Sequence, residues 1–326
     1  MNNRAAPGKP WKSMITGNLQ LVAVILIPLI VGAFRPNFLT PANFHNVLFL
    51  SSVLIISSLG FALVLQCGSV DLSIEANMAL AGVVVASLLR INPDLGVLTI
   101  AAAMVVSAFA GLVNGLIHTK LKIPSFMTTL GTSFIIAGIS TIITQGHFLT
   151  FEDRGIRALA IGRIGGPGSL VPNTTIIAIA VMVIIWFISE KFKYGRHVVA
   201  VGGDELVAKD LGVNIDRTKI ISFVIAGASF GLAGALLTLQ LGIGDTFSSA
   251  GYTFETISAC VVGGIAMSGG VGRMYKAVLG AIIITMVRSG MVFFTVPSAV
   301  QAGILGTIII LTVAATLDRS KLSSIK

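Results

Sequence analysis

Ten long apolar runs separated by short polar breaks account for most of the chain. They lie near residues 18–34, 44–66, 74–89, 95–117, 124–144, 173–189, 218–241, 252–268, 275–294 and 298–317. Most approach the ~20 residues that let a helix cross ~30 Å of hydrocarbon. They lack the apolar/polar alternation of barrel strands and exceed the ~10 residues such strands need. The pattern predicts an all-α polytopic membrane protein of about ten transmembrane helices, with residues 1–326 as one transmembrane domain. Composition agrees, with 55% hydrophobic and 11% charged residues and a mean hydropathy of +0.95. Soluble domains carry about 25% charged residues.

Charge sets the expected orientation. With the N-terminus inside, the inner segments hold sixteen of the 22 Lys and Arg residues, among them Lys120, Lys191, Arg196, Lys219, Arg273 and Lys276. The outer segments hold Arg35, Arg90, Arg154, Arg157, Arg163 and Arg288. The positive-inside rule then places both termini in the cytoplasm, with a cytoplasmic tail at 1–17 and a cytoplasmic loop at 190–217. This topology accounts for the net charge of +9 without a nucleic-acid partner. The first run has no small-residue cleavage site after it and reads as an uncleaved helix. Cys67 and Cys260 lie in or near apolar runs and read as buried free thiols.

Enzymatic signatures do not survive their context. "GASFG" at 227–231 matches a nucleophile elbow, but it sits within a continuous apolar run rather than a strand–turn–helix. Small residues at 227, 231 and 234 predict close helix packing instead. His45, His118, His147 and His197 are scattered singly, without metal-ligand spacing. The phosphate-binding G-x-x-x-x-G-K-[ST] is absent, so any ATP and Mg2+ would be used by a partner chain, with no cofactor bound here.

Two breaks carry acids into this apolar setting. "CGSVDLSIE" places Asp71 and Glu75 between the second and third runs. Carboxylates at such depth need a partner or water. Asp71 and Ser73 read as caps of helix three, with Glu75 in its first turn at the favourable end of the dipole. The alternative for Glu75 is a position facing a central cavity. "LQCG" at 65–68 and "LQLG" at 239–242 each end a long run, and an acid, Glu75 or Glu255, opens the next. These helices run in opposite directions, which suggests an inverted repeat of helices two to five against seven to ten. A pathway through both breaks would be lined by Asp71, Ser73, Glu75, Asn77, Gln240 and Glu255.

The most informative polar segment is "GGDELVAKDLGV" at 202–213. Gly202 and Gly203 permit a turn, Asp204 is an N-cap and Gly212 a stop. Glu205 and Lys209 stand at i,i+4. A short capped helix of this kind suits protein docking, and equally a plain solvated linker.

With its flanks, "YGRHVVAVGGDELVAKDLGVNIDRTKI" resembles the cytoplasmic loop of bacterial ribose-type ABC-importer permeases, which serve ribose, xylose, arabinose and autoinducer-2. Gly195, Arg196, Ala200, Gly202, Ala208 and Gly212 keep that family's pattern; Asp204 stands for its usual Asn and Val213 for Ile. "RPNFLTPANFHNVL", "KIPSFMTTLGTSFIIAG" and "SACVVGGIAMSGGVGRM" resemble further family segments. "SVDLSIE" matches the family's G-I-D-L-S-V-G at Asp71, Leu72 and Ser73, whereas Glu75 replaces a glycine. The resemblance implies a type II ABC-importer-like permease subunit paired with a second copy or a related permease. Cytosolic ATPases would drive it and a periplasmic binding protein would supply a sugar or sugar-like polyol. It also implies that Gly195, Arg196, Gly202, Gly203, Asp204, Glu205, Ala208 and Gly212 couple the chain to the ATPase. Nucleoside or other polar-solute import, an ion-coupled transporter and a channel remain as alternatives.

Overall fold

The computed structural model describes residues 19–166 and 168–316. The tail expected at 1–17 lies outside the described residues. The chain folds into α1 (Leu19–Phe34), α2 (Pro41–Gln66), α3 (Ile74–Ile91), α4 (Val97–Lys120) and α5 (Ser125–Thr144), then the short α6 (Ala158–Ile161). There follow α7 (Asn173–Lys191), α8 (Lys193–Gly203), α9 (Glu205–Asp210), α10 (Ile215–Leu241), α11 (Tyr252–Gly263), α12 (Met274–Phe293) and α13 (Ser298–Thr316). Ten of these helices coincide with the ten apolar runs. Two-residue strands β1 (Leu149–Thr150) and β2 (Ile243–Gly244) pair antiparallel.

Among the described residues, seven helices are long and apolar enough to cross a membrane. The chain is a multi-pass membrane protein. Three of the ten expected spans are not among the seven: the described parts of α1 and α13 are shorter apolar helices, and α11 ends at Gly263 after 12 residues, not near 268. At 1.5 Å per residue it reaches only ~18 Å, about half the hydrocarbon. Gly264, at φ +88°, ends it, and residues 264–273 return as a compact glycine-rich loop.

Helix α10 is the axis of the bundle, packed against α2, α3 and α4. Phe223, Phe230 and Leu236 on it are fully buried. Glycines allow this closeness. A Cβ on Gly231 would lie 2.8 Å from Ala103 O and from Met104 Cα on α4. One on Gly234 would lie 2.7 Å from Met78 Cα on α3. The small-residue stripe read from "GASFGLAG" therefore serves two neighbours: 227 and 231 face α4, and 234 faces α3. Without a hydrophobic driving force between helices in lipid, such close packing is what holds them together.

One end of the bundle carries Lys120, Lys191, Lys193, Arg196, Lys219 and Lys276 and is termed the basic end. Its exposed Lys120–Asp216 pair (2.8 Å) links α4 to α10. At the opposite end Arg154 pairs with Asp94 at 2.8 Å. Exposed pairs of this kind add little stability.

Replacing Gly231 with Leu forces α4 and α10 apart. We expect a loss of ~1–3 kcal/mol from overpacking, read as a lower thermal midpoint of the detergent-purified chain. Gly131→Ala, where a Cβ meets nothing within 4 Å, should leave the midpoint unchanged.

Candidate functional site

Two interruptions of the helical pattern converge in the middle of the bundle. The first begins where α2 ends. Gly68, at φ +74°, turns the chain out of the helix, and residues 69–73 run on without helical structure. Non-helical backbone at this depth must find partners within the protein. Val70 N–H donates to Ser125 Oγ and Leu72 N–H to Thr129 Oγ1, both at 2.9 Å. These hydroxyls stand one turn apart on α5, so α5 substitutes for the missing ladder.

Asp71 is fully buried in this break. Its Oδ1 accepts from Ser73 N–H (2.8 Å) and from Ser73 Oγ–H (2.6 Å). Ser73 Oγ in turn accepts from Asn77 Nδ2 (3.0 Å) and Asn114 Nδ2 (2.9 Å). Thr132 Oγ1 donates to Asn114 Oδ1 at 2.5 Å. Asp71 therefore closes a turn before the helix instead of capping it. Ser73 occupies the N-cap position but makes no side-chain capping bond, because its hydroxyl is already committed to Asp71 and the two asparagines. Asp71, Ser73 and Asn77 belong to a buried network that links α3, α4 and α5, in which Asp71 Oδ2 and Asn77 Oδ1 find no partner among the described residues. No sequence signal pointed to Asn114; for Thr129 and Thr132, the hydroxyl density of "SFMTTLGT" was the available clue.

The second break follows α10. Gly242, at φ +77°, ends that helix as Gly68 follows α2. Arg157 donates to Leu239 O (2.9 Å) and Gln240 O (3.1 Å), placing a cation on the negative end of α10. Asp245 accepts from the N–H groups of Phe247 and Ser248, both at 2.6 Å. The two breaks share more sequence than their four-residue signature: Leu65-Gln66-x-Gly68-x-x-Asp71 matches Leu239-Gln240-x-Gly242-x-x-Asp245. Helices α2 and α10 are antiparallel, and α3 and α11 leave the centre toward opposite ends.

Glu75 joins the two breaks. Its backbone N–H donates to Thr253 Oγ1 (3.2 Å), and its carbonyl accepts from Ser249 Oγ (2.9 Å). Its Oε2 accepts from Gly251 N–H at 3.0 Å. Gly251 is the N-cap of α11, so a carboxylate on α3 meets the positive end of α11. The same residue lines a crevice of about 280 Å³ with Ser133, Thr246 and Thr253. Glu75 thus stands in the first turn of α3.

The remaining pathway residues lie apart. Glu255, one turn into α11, is buried and paired with Arg288 of α12. The pair lines a separate cavity of about 330 Å³ with Tyr252, Ser248 and Asn46. Burying a carboxylate in a span demands such a partner. Gln240 stands at the end of α10, where its carbonyl holds Arg157 and its Nε2 has no protein partner.

At the basic end the loop contains two helices. α8 runs to Gly203, so Gly202 and Gly203 are helical and do not form the expected turn. Gly202 is small because the backbones of Gln66 and Gly270 press against it. Gly195 likewise lies against the Ser189 backbone, and Arg196 is exposed. Tyr194 ties α8 to α10 through Ser222 (2.7 Å), and burial pushes its phenol up against the opposing effect of that bond.

Asp204 is the N-cap of α9: its Oδ1 accepts from Leu206 N–H (2.9 Å) and Val207 N–H (3.1 Å). Gly212, at φ +82°, stops it, with Val213 N–H donating to Ala208 O (3.0 Å) and Gly212 N–H to Lys209 O (2.9 Å), a Schellman closure. Ala208 is buried beneath the helix. Glu205 pairs with Lys219 of α10, not with Lys209. The Lys219 side chain is only 9% exposed, so its ammonium needs the carboxylate more than a solvated lysine does. On the outer side, Leu206, Val207 and Leu211 are 76%, 54% and 77% exposed.

Residues 43–313 match the family described as the branched-chain amino acid transport system / permease component. The galactose/methyl galactoside import permease protein MglC of Salmonella typhimurium is 31% identical over 93% of this chain and 95% of its own. The L-arabinose transport system permease protein AraH of Escherichia coli is 32% identical over 96% of this chain and 92% of its own. The ribose import permease protein RbsC of Escherichia coli is 29% identical over 96% and 98%. No solved structure matches. A family match across most of the chain and full-length relatives at this identity agree with the resemblance carried by the loop. The chain belongs to this family of importer permease components.

Proposed function

We propose that the chain is the membrane subunit of a binding-protein-dependent ABC importer that carries a sugar or sugar-like polyol across the bacterial inner membrane. The observation that carries this reading is near-full-length similarity to permeases named for galactose, arabinose and ribose. The family description names branched-chain amino acids, which makes an amino-acid solute the second reading. Identity sustained over more than nine-tenths of three sugar permeases favours the sugar.

In this reading both termini and the basic end face the cytoplasm, consistent with the basic residues gathered there. Helix α9 is the coupling helix. Its exposed Leu206, Val207 and Leu211 form an apolar knob for a groove on a cytosolic ATPase, which binds and hydrolyses ATP with Mg2+. Glu205 and Lys219 fix that knob to α10, so a push on α9 is passed into the bundle. A second permease copy or a related chain completes the pathway, and a periplasmic protein delivers the solute. Transport proceeds by alternating access, with the ATPase shifting the balance between outward- and inward-open states. The crevice at Glu75 is where the second protomer would close the path around a hydroxylated solute.

Three measurements test this. Leu206→Asp combined with Leu211→Asp should leave folding intact and reduce ATPase co-purification at least ~10-fold, since truncating central apolar anchors costs about 2 kcal/mol or more; unchanged association would remove α9 from the interface. Glu75→Gly should lower stability by ~1–2 kcal/mol through the lost tie to α11 and alter uptake or solute preference in proteoliposomes. Unchanged uptake would leave Glu75 a tether outside the path. ATPase stimulation of the reconstituted complex should respond to binding protein loaded with galactose, arabinose or ribose; stimulation by leucine alone would overturn the sugar reading.

A further inference from the structure

Three separate parts of the chain meet at the basic end with no side chain between them. Gly68 stands at the start of the first break, Gly202 lies in the last turn of α8, and Gly269 and Gly270 lie in the loop after α11. A Cβ on Gly269 would sit 2.7 Å from Gly202 O and 2.8 Å from Gly68 Cα. On Gly270 it would sit 2.8 Å from Gly203 Cα, and on Gly202 2.6 Å from Gly270 N. Gly269 and Gly270 hold φ of +83° and +71°, which L side chains rarely adopt. Gln66 pins the junction from both sides: its carbonyl accepts from Gly270 N–H and its Nε2 donates to Gly272 O, each at 2.9 Å.

Side chains in contact can yield by changing rotamer, whereas backbones packed on one another have nothing to give. Each strand of this junction also leads somewhere. From Gly68 the chain climbs through the Asp71–Ser73 network to Glu75 at the start of α3. From Gly269 it returns through the loop to α11, whose own start is held by Glu75 through Gly251 and Thr253. The two paths therefore close a ring, with the glycine junction at the basic end and the Glu75 tie at the centre.

We propose that Gly68, Gly202, Gly269 and Gly270, pinned by Gln66, are the positioning residues that pass displacement of α8 and α9 into both central breaks at once. The inference rests on the transport reading above and adds to it the route between the docking helix and the pathway. Because both breaks are driven from one junction, the N-termini of α3 and α11 shift together and the Glu75–Gly251 tie changes with the state of the transporter.

The test uses the full complex of two permease copies, ATPase and binding protein in proteoliposomes, with radiolabelled galactose, arabinose and ribose as probes. Gly202→Ala should lower uptake per ATP hydrolysed by about tenfold. The control is Gly131→Ala on α5, away from the loop and the junction, where a Cβ meets nothing within 4 Å; it should behave as the unaltered chain. If Gly202→Ala fails to accumulate in the membrane, Gln66→Leu decides the case. It removes the side-chain bond to Gly272 without crowding the glycines and should also lower the uptake-to-hydrolysis ratio. Unaltered coupling in Gly202→Ala, unaltered coupling in Gln66→Leu where that variant decides, or an equal loss in Gly131→Ala overturns the inference. If the unaltered complex responds to none of the three sugars, the sugar reading fails, whatever the variants do.

Discussion

Two helices begin inside the bundle, and everything around them follows from the need to satisfy their free amide groups without water. Helices α3 and α11 run toward opposite ends, and their N-termini, each a positive dipole end, meet where Glu75 contacts Gly251 and Thr253. Such an arrangement repels unless something negative lies between. Glu75 supplies that charge, accepting from Gly251 N–H while its own backbone pairs with Ser249 and Thr253. The extended segment before α3 meets the same demand with hydroxyls from α5.

The choice of partners explains why the acids in this chain behave differently. Asp71 is enclosed in a network of short hydroxyl and amide bonds and serves the shape of the break. Glu255 is buried beside Arg288, a pair that fastens half-helix α11 to α12. Glu205 sits at the surface but holds the nearly buried Lys219. Glu75 ties α3 to the start of α11 and borders a crevice between them. A carboxylate with a foot in each role fits a part of the molecule that changes as the path opens.

Glycine plays two distinct parts. At Gly68 and Gly242 it adopts positive φ and ends a long helix at equivalent points of the repeat. At Gly202, Gly231 and Gly234 it is helical, and its value is the absent Cβ, which lets backbones approach. A sequence shows both as the same letter. For that reason Gly202–Gly203 reads as a turn while the fold uses Gly202 to pack a helix end against two other segments.

What the sequence determined by itself is what depends on periodicity and local chemistry. Ten apolar runs became ten helices, because hydrocarbon leaves a chain few other solutions. Asp204 and Gly212 bounded α9 as cap and stop, because both act within one turn of their own position. A likeness of the two breaks was visible in "LQCG" and "LQLG", and it continues to Asp71 and Asp245. Tertiary structure decided the rest. Glu205 chose Lys219 over Lys209, and Glu75 found Gly251 across 176 residues. Asp71, Ser73 and Asn77 closed on Asn114, and the eighth apolar run stopped halfway. Each of these outcomes turns on which buried group most needs a partner, and that is set by packing between segments distant in the chain.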